Sequence, residues 1–101
     1  MTKDKNFHLE VLEKLEILDS VTFWERFRTC NAWVARVEHR FMVQDAVCYV
    51  IPIKSYETIV GYADILEKKF YEIGHYSVTT SKQMGQIHRE LFSDYERVKV
   101  L

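Results

Sequence analysis

The apolar positions of the chain change period several times, and each change marks an element. Over residues 7–18, "FHLEVLEKLEIL", Leu9, Leu12 and Leu15 form a stripe with Val11 and Leu18. Glu10, Glu13, Lys14 and Glu16 surround it, which predicts a helix. Asp19 or Ser20 is a suitable cap for a second, short helix over 21–30, "VTFWERFRTC". Phe23, Trp24 and Phe27 would share a face there through their three- and four-residue spacing. The period then drops to two. In "AWVARVEHRF", 32–41, Trp33, Ala35, Val37 and Phe41 alternate with Arg36, Glu38 and Arg40, as a strand with one wet face requires. "AVCYVIPI", 46–53, is apolar on both faces and predicts a central strand. Pro52 belongs near its end, because proline has no amide hydrogen for the ladder. "MVQDA", 42–46, reads as the hairpin connection between the two strands.

Residues 56–74 fit two patterns. Ile59, Tyr62, Ala63, Leu66, Phe70 and Ile73 fit a helix stopped by Gly74. "TIVGYA" and "KFYEIG" also fit two strands around a turn at "DILEK", and both halves are rich in β-branched and aromatic residues. The hairpin is the preferred reading, although its turn lacks Gly or Asn. In "HYSVTTSKQMGQIHREL", 75–91, Tyr76 and Val78 are expected to end a strand. Thr80 then caps a helix over 81–95, with Gln83 completing a capping box. Met84, Ile87, Leu91 and Tyr95 follow at helical spacing, while Lys82, Gln86, Arg89 and Ser93 take the other face. Gly85 falls near the buried side and costs about 1 kcal/mol of helix propensity against Ala, which suggests close approach of a neighbouring strand. "RVKVL" can add a short edge strand. The sum is a single α+β domain over 1–101: an antiparallel sheet of three to five strands, with N-terminal helices and a C-terminal helix.

Composition narrows the classes. The 101 residues are 48% hydrophobic and 14% aromatic, enough for a packed core and against disorder. The net charge of −1 gives no global electrostatic case for nucleic acid or an anionic membrane. Cys30 and Cys48 make neither a disulfide framework nor, alone, a zinc site. The N-terminus "MTKDKNFHLE" lacks the apolar run of a signal peptide, and no window is long enough to span a bilayer. The expected setting is the cytoplasm.

Ser55-Tyr56 with Thr58, then Tyr76-Ser77, then Thr79-Thr80-Ser81-Lys82 form a pattern across the C-terminal half. In this pattern the chain resembles a family of small uncharacterised proteins of phages, prophages and plasmids of Gram-positive bacteria. The resemblance implies two strands followed by a helix, and a mobile-element setting in a bacterial host cell. Many family members carry a histidine after the lysine, where this chain has Gln83.

Four groups of residues invite chemistry. Ser77, Thr79, Thr80, Ser81 and Lys82 at a helix start could hold an anion, because free amides and the helix dipole meet there. Capping and turn closure account for the same residues, and the glycines of a phosphate loop are missing. Arg36 and Arg40, joined by Lys82 or Arg89 and by Trp33, Tyr49 or Tyr56, could offer a basic aromatic face to single-stranded nucleic acid. Glu38 lies between those arginines and is expected to pair with one. His75, His88 and Cys48 show no convergence and the chain has no HExxH or CxxC, so neither metal nor cofactor nor catalytic residue is expected. Phe23, Trp24 and Phe27, beside Arg26 and Arg28, suit core packing or a partner or homodimer contact. The resulting expectation is a non-enzymatic mobile-element accessory protein acting by protein–protein binding. Its most concrete form is an inhibitor of a CRISPR-Cas defence nuclease. The expected contact residues are Arg36, Arg40, Tyr76, Thr79, Lys82 and Arg89. The alternative is a nucleic-acid-binding accessory protein using a basic strand or helix face.

Overall fold

A computed structural model describes residues 3–28, 31–73 and 77–100. The first helix, α1, spans Lys5–Ile17, where the apolar period predicts it. The Asp4 carboxylate caps it, accepting from the Phe7 amide at 2.9 Å. Val11 and Leu15 of the expected stripe are buried, joined by Phe7 and His8, whereas Leu9 is exposed.

Among the described residues of 21–30, the expected short helix is absent. Asp19–Val21 make one 3-10 turn, and Trp24–Arg26 form strand β1. β-branched and aromatic residues suit a pleated surface better than a short helix, and β2 (Ala32–Ala35) supplies the pairing partner. Alternation then separates the aromatics predicted to share a face. Trp24 lies under the Lys54 ammonium, Phe27 enters the opposite core, and Phe23 is exposed.

The expected strand 32–41 breaks at residues 36–38 into β2 and β3 (His39–Val43). Both pieces pair with the ten-residue β4, Ala46–Ser55: β3 along Ala46–Val50 and β2 along Ile53–Ser55. The β3–β4 turn places Gln44 and Asp45 at positive φ, 48° and 63°, as a two-residue primed hairpin turn requires. β4 is central, as predicted, with β5 (Thr58–Asp64) on its other edge. Val60 is an extra residue in that pairing, since Ile53 faces Gly61 while Lys54 faces Ile59.

Residues 58–73 form the hairpin. β6, Lys69–Ile73, pairs antiparallel with β5. Asp64 closes the turn that lacked Gly or Asn, its carboxylate accepting from the Glu67 amide at 3.1 Å. α2, Val78–Leu91, leads to β7, Glu96–Val100, which pairs parallel with β6 because a helix lies between them in sequence. β7 is an edge strand as expected. Among the described residues the sheet has seven strands, more than predicted, in the order β1-β2-β4-β5-β6-β7 with β3 also on β4.

The sheet is packed on both faces. α1 covers one with Phe7, Val11 and Leu15 against Val50, Tyr62, Tyr71 and Ile73. α2 covers the other with Met84 and Ile87 against Ile53, Ala63 and Phe70. Alternation along β4 and β5 feeds both cores at once.

Candidate functional site

The start of α2 differs from the predicted cap. Ser77, not Thr80, is the cap, its hydroxyl accepting from the Thr80 amide at 3.2 Å. Val78 is the first helical residue rather than a strand end. Gln83 therefore misses the capping-box position. It is buried instead, and its side-chain carbonyl accepts from Ser55 on β4 at 2.9 Å. The hydroxyls of Ser55, Ser77 and Thr80 lie within 3.4 Å of one another in succession, so this cluster spends its polar atoms on tying helix to sheet.

Along α2 the polar face meets β7 in a groove of about 500 Å³. Lys82 and Arg89 line it, as does Arg97, which sequence reasoning left out of the site. Glu72 on β6 is buried beneath and bonds Arg97 through both carboxylate oxygens, one of them 3.1 Å from Nη2. Strand alternation in "ERVKV" put Arg97 on one face with Lys99, but only the parallel β6–β7 register brings it to Glu72. Gly85 forms the floor. A Cβ there would stand 3.3 Å from Nη1 of Arg97 and 3.7 Å from Nη1 of Arg89. The close neighbour anticipated for Gly85 is thus a strand's side chain.

On the other side of α2, the helix leaves part of the sheet bare. A cleft of about 420 Å³ opens between its C-terminal end and β1, lined by the apolar Phe27, Val34, Ile51, Leu91 and Phe92 and by the charged Glu25, Arg26 and Arg28. Leu91 and Tyr95 were expected on the buried stripe, yet α2 ends at Leu91 and leaves it 52% exposed. Further out on the same sheet face, the cross-strand pair Met42 and Val47 is 54% and 49% exposed. Arg40 stands two residues before Met42 and lies over the Tyr49 ring at 5.8 Å. The expected Glu38–arginine pair is absent among the described residues. Glu38 accepts from the Tyr49 hydroxyl at 2.9 Å, and Arg36 pairs with Glu25 at 3.4 Å.

The six predicted contact residues are therefore not one patch. Lys82 and Arg89 share the α2–β7 groove, whereas Arg36 and Arg40 flank the bare sheet face. Thr79 is exposed in the first turn of α2. Tyr76 lies outside the described residues, as do His75 and Cys30.

A third polar group was not singled out in the sequence. His8 shares the buried face of α1 with Val11 and Leu15 at helical spacing, and its Nδ1 is 2.6 Å from the Tyr62 hydroxyl. The Tyr71 ring stacks against it at 4.4 Å between centroids. Burial holds the His8 pKa below its ordinary value and raises Tyr62 and Tyr71, Tyr71 to about 12. Each side chain is held in its neutral form at neutral pH. Beside them Lys3 bonds Asp64 at 2.8 Å and also Glu67. Burial alone would lower Lys3, but those hydrogen bonds outweigh it and raise it to about 12.

Cys48 is buried, and burial pushes its thiol up. His88 Nε2 is 2.7 Å from the Tyr95 carbonyl. Among the described residues, no group of three or more His, Cys, Asp or Glu is placed to hold a metal ion. No described helix is long and apolar enough to cross a membrane.

Fold and surfaces together define an α+β domain with one helix on each face of a mostly antiparallel sheet, a cationic groove and a separate apolar cleft. Comparison of the chain with protein-family models, curated proteins and solved structures finds no match.

Proposed function

We propose that the protein works without chemistry of its own, by docking a partner protein against the sheet face that α2 leaves bare. The observation that carries this reading is a row of uncovered side chains along one sheet face. The Phe27–Ile51–Leu91–Phe92 cleft comes first, the Arg40–Tyr49 pair next, and the exposed Met42–Val47 pair last. Exposed apolar surface rimmed by polar residues is the usual mark of a protein contact, and arginine beside aromatic side chains is what hot spots select. The buried His8–Tyr62 pair supports the same reading, because both groups are neutral, bonded to each other and withdrawn from solvent. The partner is a protein with an apolar projection bordered by acidic side chains, which Arg40 would meet. The resemblance to mobile-element proteins supports a concrete target, a CRISPR-Cas defence nuclease in the bacterial cytoplasm, blocked by steric occupation.

The test is cleavage of target DNA by guide-loaded CRISPR-Cas nucleases of Gram-positive bacteria, titrated with the protein. One of them should lose activity near equimolar protein. Leu91→Asp and Val47→Asp should restore cleavage while the circular dichroism of the protein is unchanged. Full cleavage by every nuclease at large excess would remove the inhibitor reading.

The alternative of a nucleic-acid-binding accessory protein draws support from the α2–β7 groove, through Lys82 and Arg89 but not through Arg36 and Arg40.

A further inference from the structure

The geometry points to a phosphate-binding site over Gly85, formed by Arg89, Arg97 and Lys82. Two guanidinium groups from different elements converge on one point above the helix, both within 3.7 Å of the position a Cβ of Gly85 would occupy. Like charges brought together repel, and such an arrangement calls for an anion between them. The described residues supply one carboxylate, Glu72, and it pairs with Arg97 alone. Glu72 engages Nε and Nη2 of Arg97, which fixes that guanidinium and leaves Nη1 toward Arg89. Among the described residues, neither Arg89 nor Lys82 forms an ion pair. No carboxylate is among the residues that line the groove, where Ser81 and Gln86 add polar side chains.

Each part contributes to the site. The missing side chain at Gly85 lets both guanidinium groups settle against the helix, where any Cβ would crowd Arg97. Buried Glu72 acts as an anchor, holding Arg97 in a fork already oriented for oxygen acceptors. Arg89 and Lys82 supply the charge that Glu72 does not cancel. The tetrahedral oxygens of a phosphate suit two guanidinium forks and an ammonium better than a single planar carboxylate does. The phosphate can belong to a nucleic-acid backbone or to a small phosphorylated molecule, and the shared chemistry is the same. This site uses none of the residues of the docking cleft, so it stands or falls independently of that reading.

Two titrations of the whole protein test it at low salt. In the first, inorganic pyrophosphate is added while the amide resonances are followed by NMR. In the second, a fluorescein-labelled single-stranded oligonucleotide is followed by anisotropy. Saturable shifts at Gly85, Gln86 and Arg97 are expected. Arg89→Ala should weaken binding about tenfold, the loss expected of one charge-assisted contact, and Lys82→Ala somewhat less. Both side chains are exposed, so these variants should fold. Arg36→Ala should leave both titrations unchanged. Gly85→Ala, which keeps all three cations but fills the floor, should weaken binding several-fold. An oligonucleotide bound much tighter than pyrophosphate, with a steep salt dependence, assigns the phosphate to a nucleic-acid backbone. Comparable affinities assign it to a small molecule. No saturable shift with either probe, or binding indifferent to Arg89→Ala, overturns the site.

Discussion

The guanidinium of Arg97 on the edge strand is clasped by the carboxylate of Glu72, a side chain only 3% exposed, on the neighbouring parallel strand. This pair fixes the last strand to the sheet and sets the shape of the α2–β7 groove. Removing Arg97 costs far more than the pair contributes, since the buried Glu72 charge is left uncompensated, whereas Arg97 is 33% exposed and water can solvate it. Arg97→Ala should therefore destabilise the fold by about 3 kcal/mol, while Glu72→Gln with Arg97 retained costs less. Urea unfolding midpoints of the two variants check this. Equal, small losses would show that water solvates Glu72 in the native state.

His8 gives the stability a defined pH dependence. Burial lowers its pKa in the fold below the ordinary 6.5. The unfolded chain then binds more protons than the folded one as pH falls below that value, so stability falls with it. Above about pH 6.5 the contribution is complete. Urea midpoints at about pH 7.5 and about pH 5.5 should differ more for the natural chain than for His8→Gln, which keeps a polar partner for Tyr62 but cannot titrate. An unchanged pH slope in the variant would place the effect elsewhere.

Ser77 holds the start of α2. Its replacement by Ala should cost about 1 kcal/mol, the usual value of a lost cap. Thr80→Val, which keeps the buried volume but removes the hydroxyl near Ser55 and Ser77, should cost a comparable amount by a different route, the loss of side-chain hydrogen bonds. Combining Ser77→Ala with Thr80→Val should then cost less than the sum, because the two hydroxyls bond each other.

Gly61 admits no side chain. A Cβ would stand 2.2 Å from the Tyr71 carbonyl oxygen, a backbone atom that cannot move without breaking the β5–β6 ladder. Gly61→Ala should cost about 3 kcal/mol or more, in the upper range for overpacking. Gly85→Ala should be far milder, since its neighbour is the end of a flexible side chain and the helix gains propensity. Thermal denaturation of the two variants side by side measures the contrast.

Much of the architecture was legible from local pattern. The α1 period, the doubly apolar β4, the 58–73 hairpin and the edge strand at the C-terminus each follow from spacing and residue type. The segment at 21–30 misled because "FWERF" satisfies helical spacing and strand alternation alike, and the strand won when β2 offered a ladder. Thr80 and Gln83 fit a capping box equally well on paper. Ser77 took the cap because helix α2 begins three residues earlier than the apolar stripe suggests, which turns Gln83 inward to Ser55. Of the candidate site, Lys82 and Arg89 were visible as neighbours on one helix face. Arg97 was not, because its place beside them depends on a strand pairing that spans the whole of α2.

By itself, then, the sequence determined the α+β class and the places of α1, β4 and the C-terminal edge strand, because period and side-chain chemistry act over a few residues. Only the tertiary structure decided where the charges gather. A chain with a net charge of −1 has no basic character on average. Parallel pairing of β6 with β7 nevertheless carries Arg97 to Arg89 over the open floor of Gly85, and the short reach of α2 leaves Leu91, Met42 and Val47 uncovered. Both outcomes rest on contacts between residues distant in the chain, which no local period encodes.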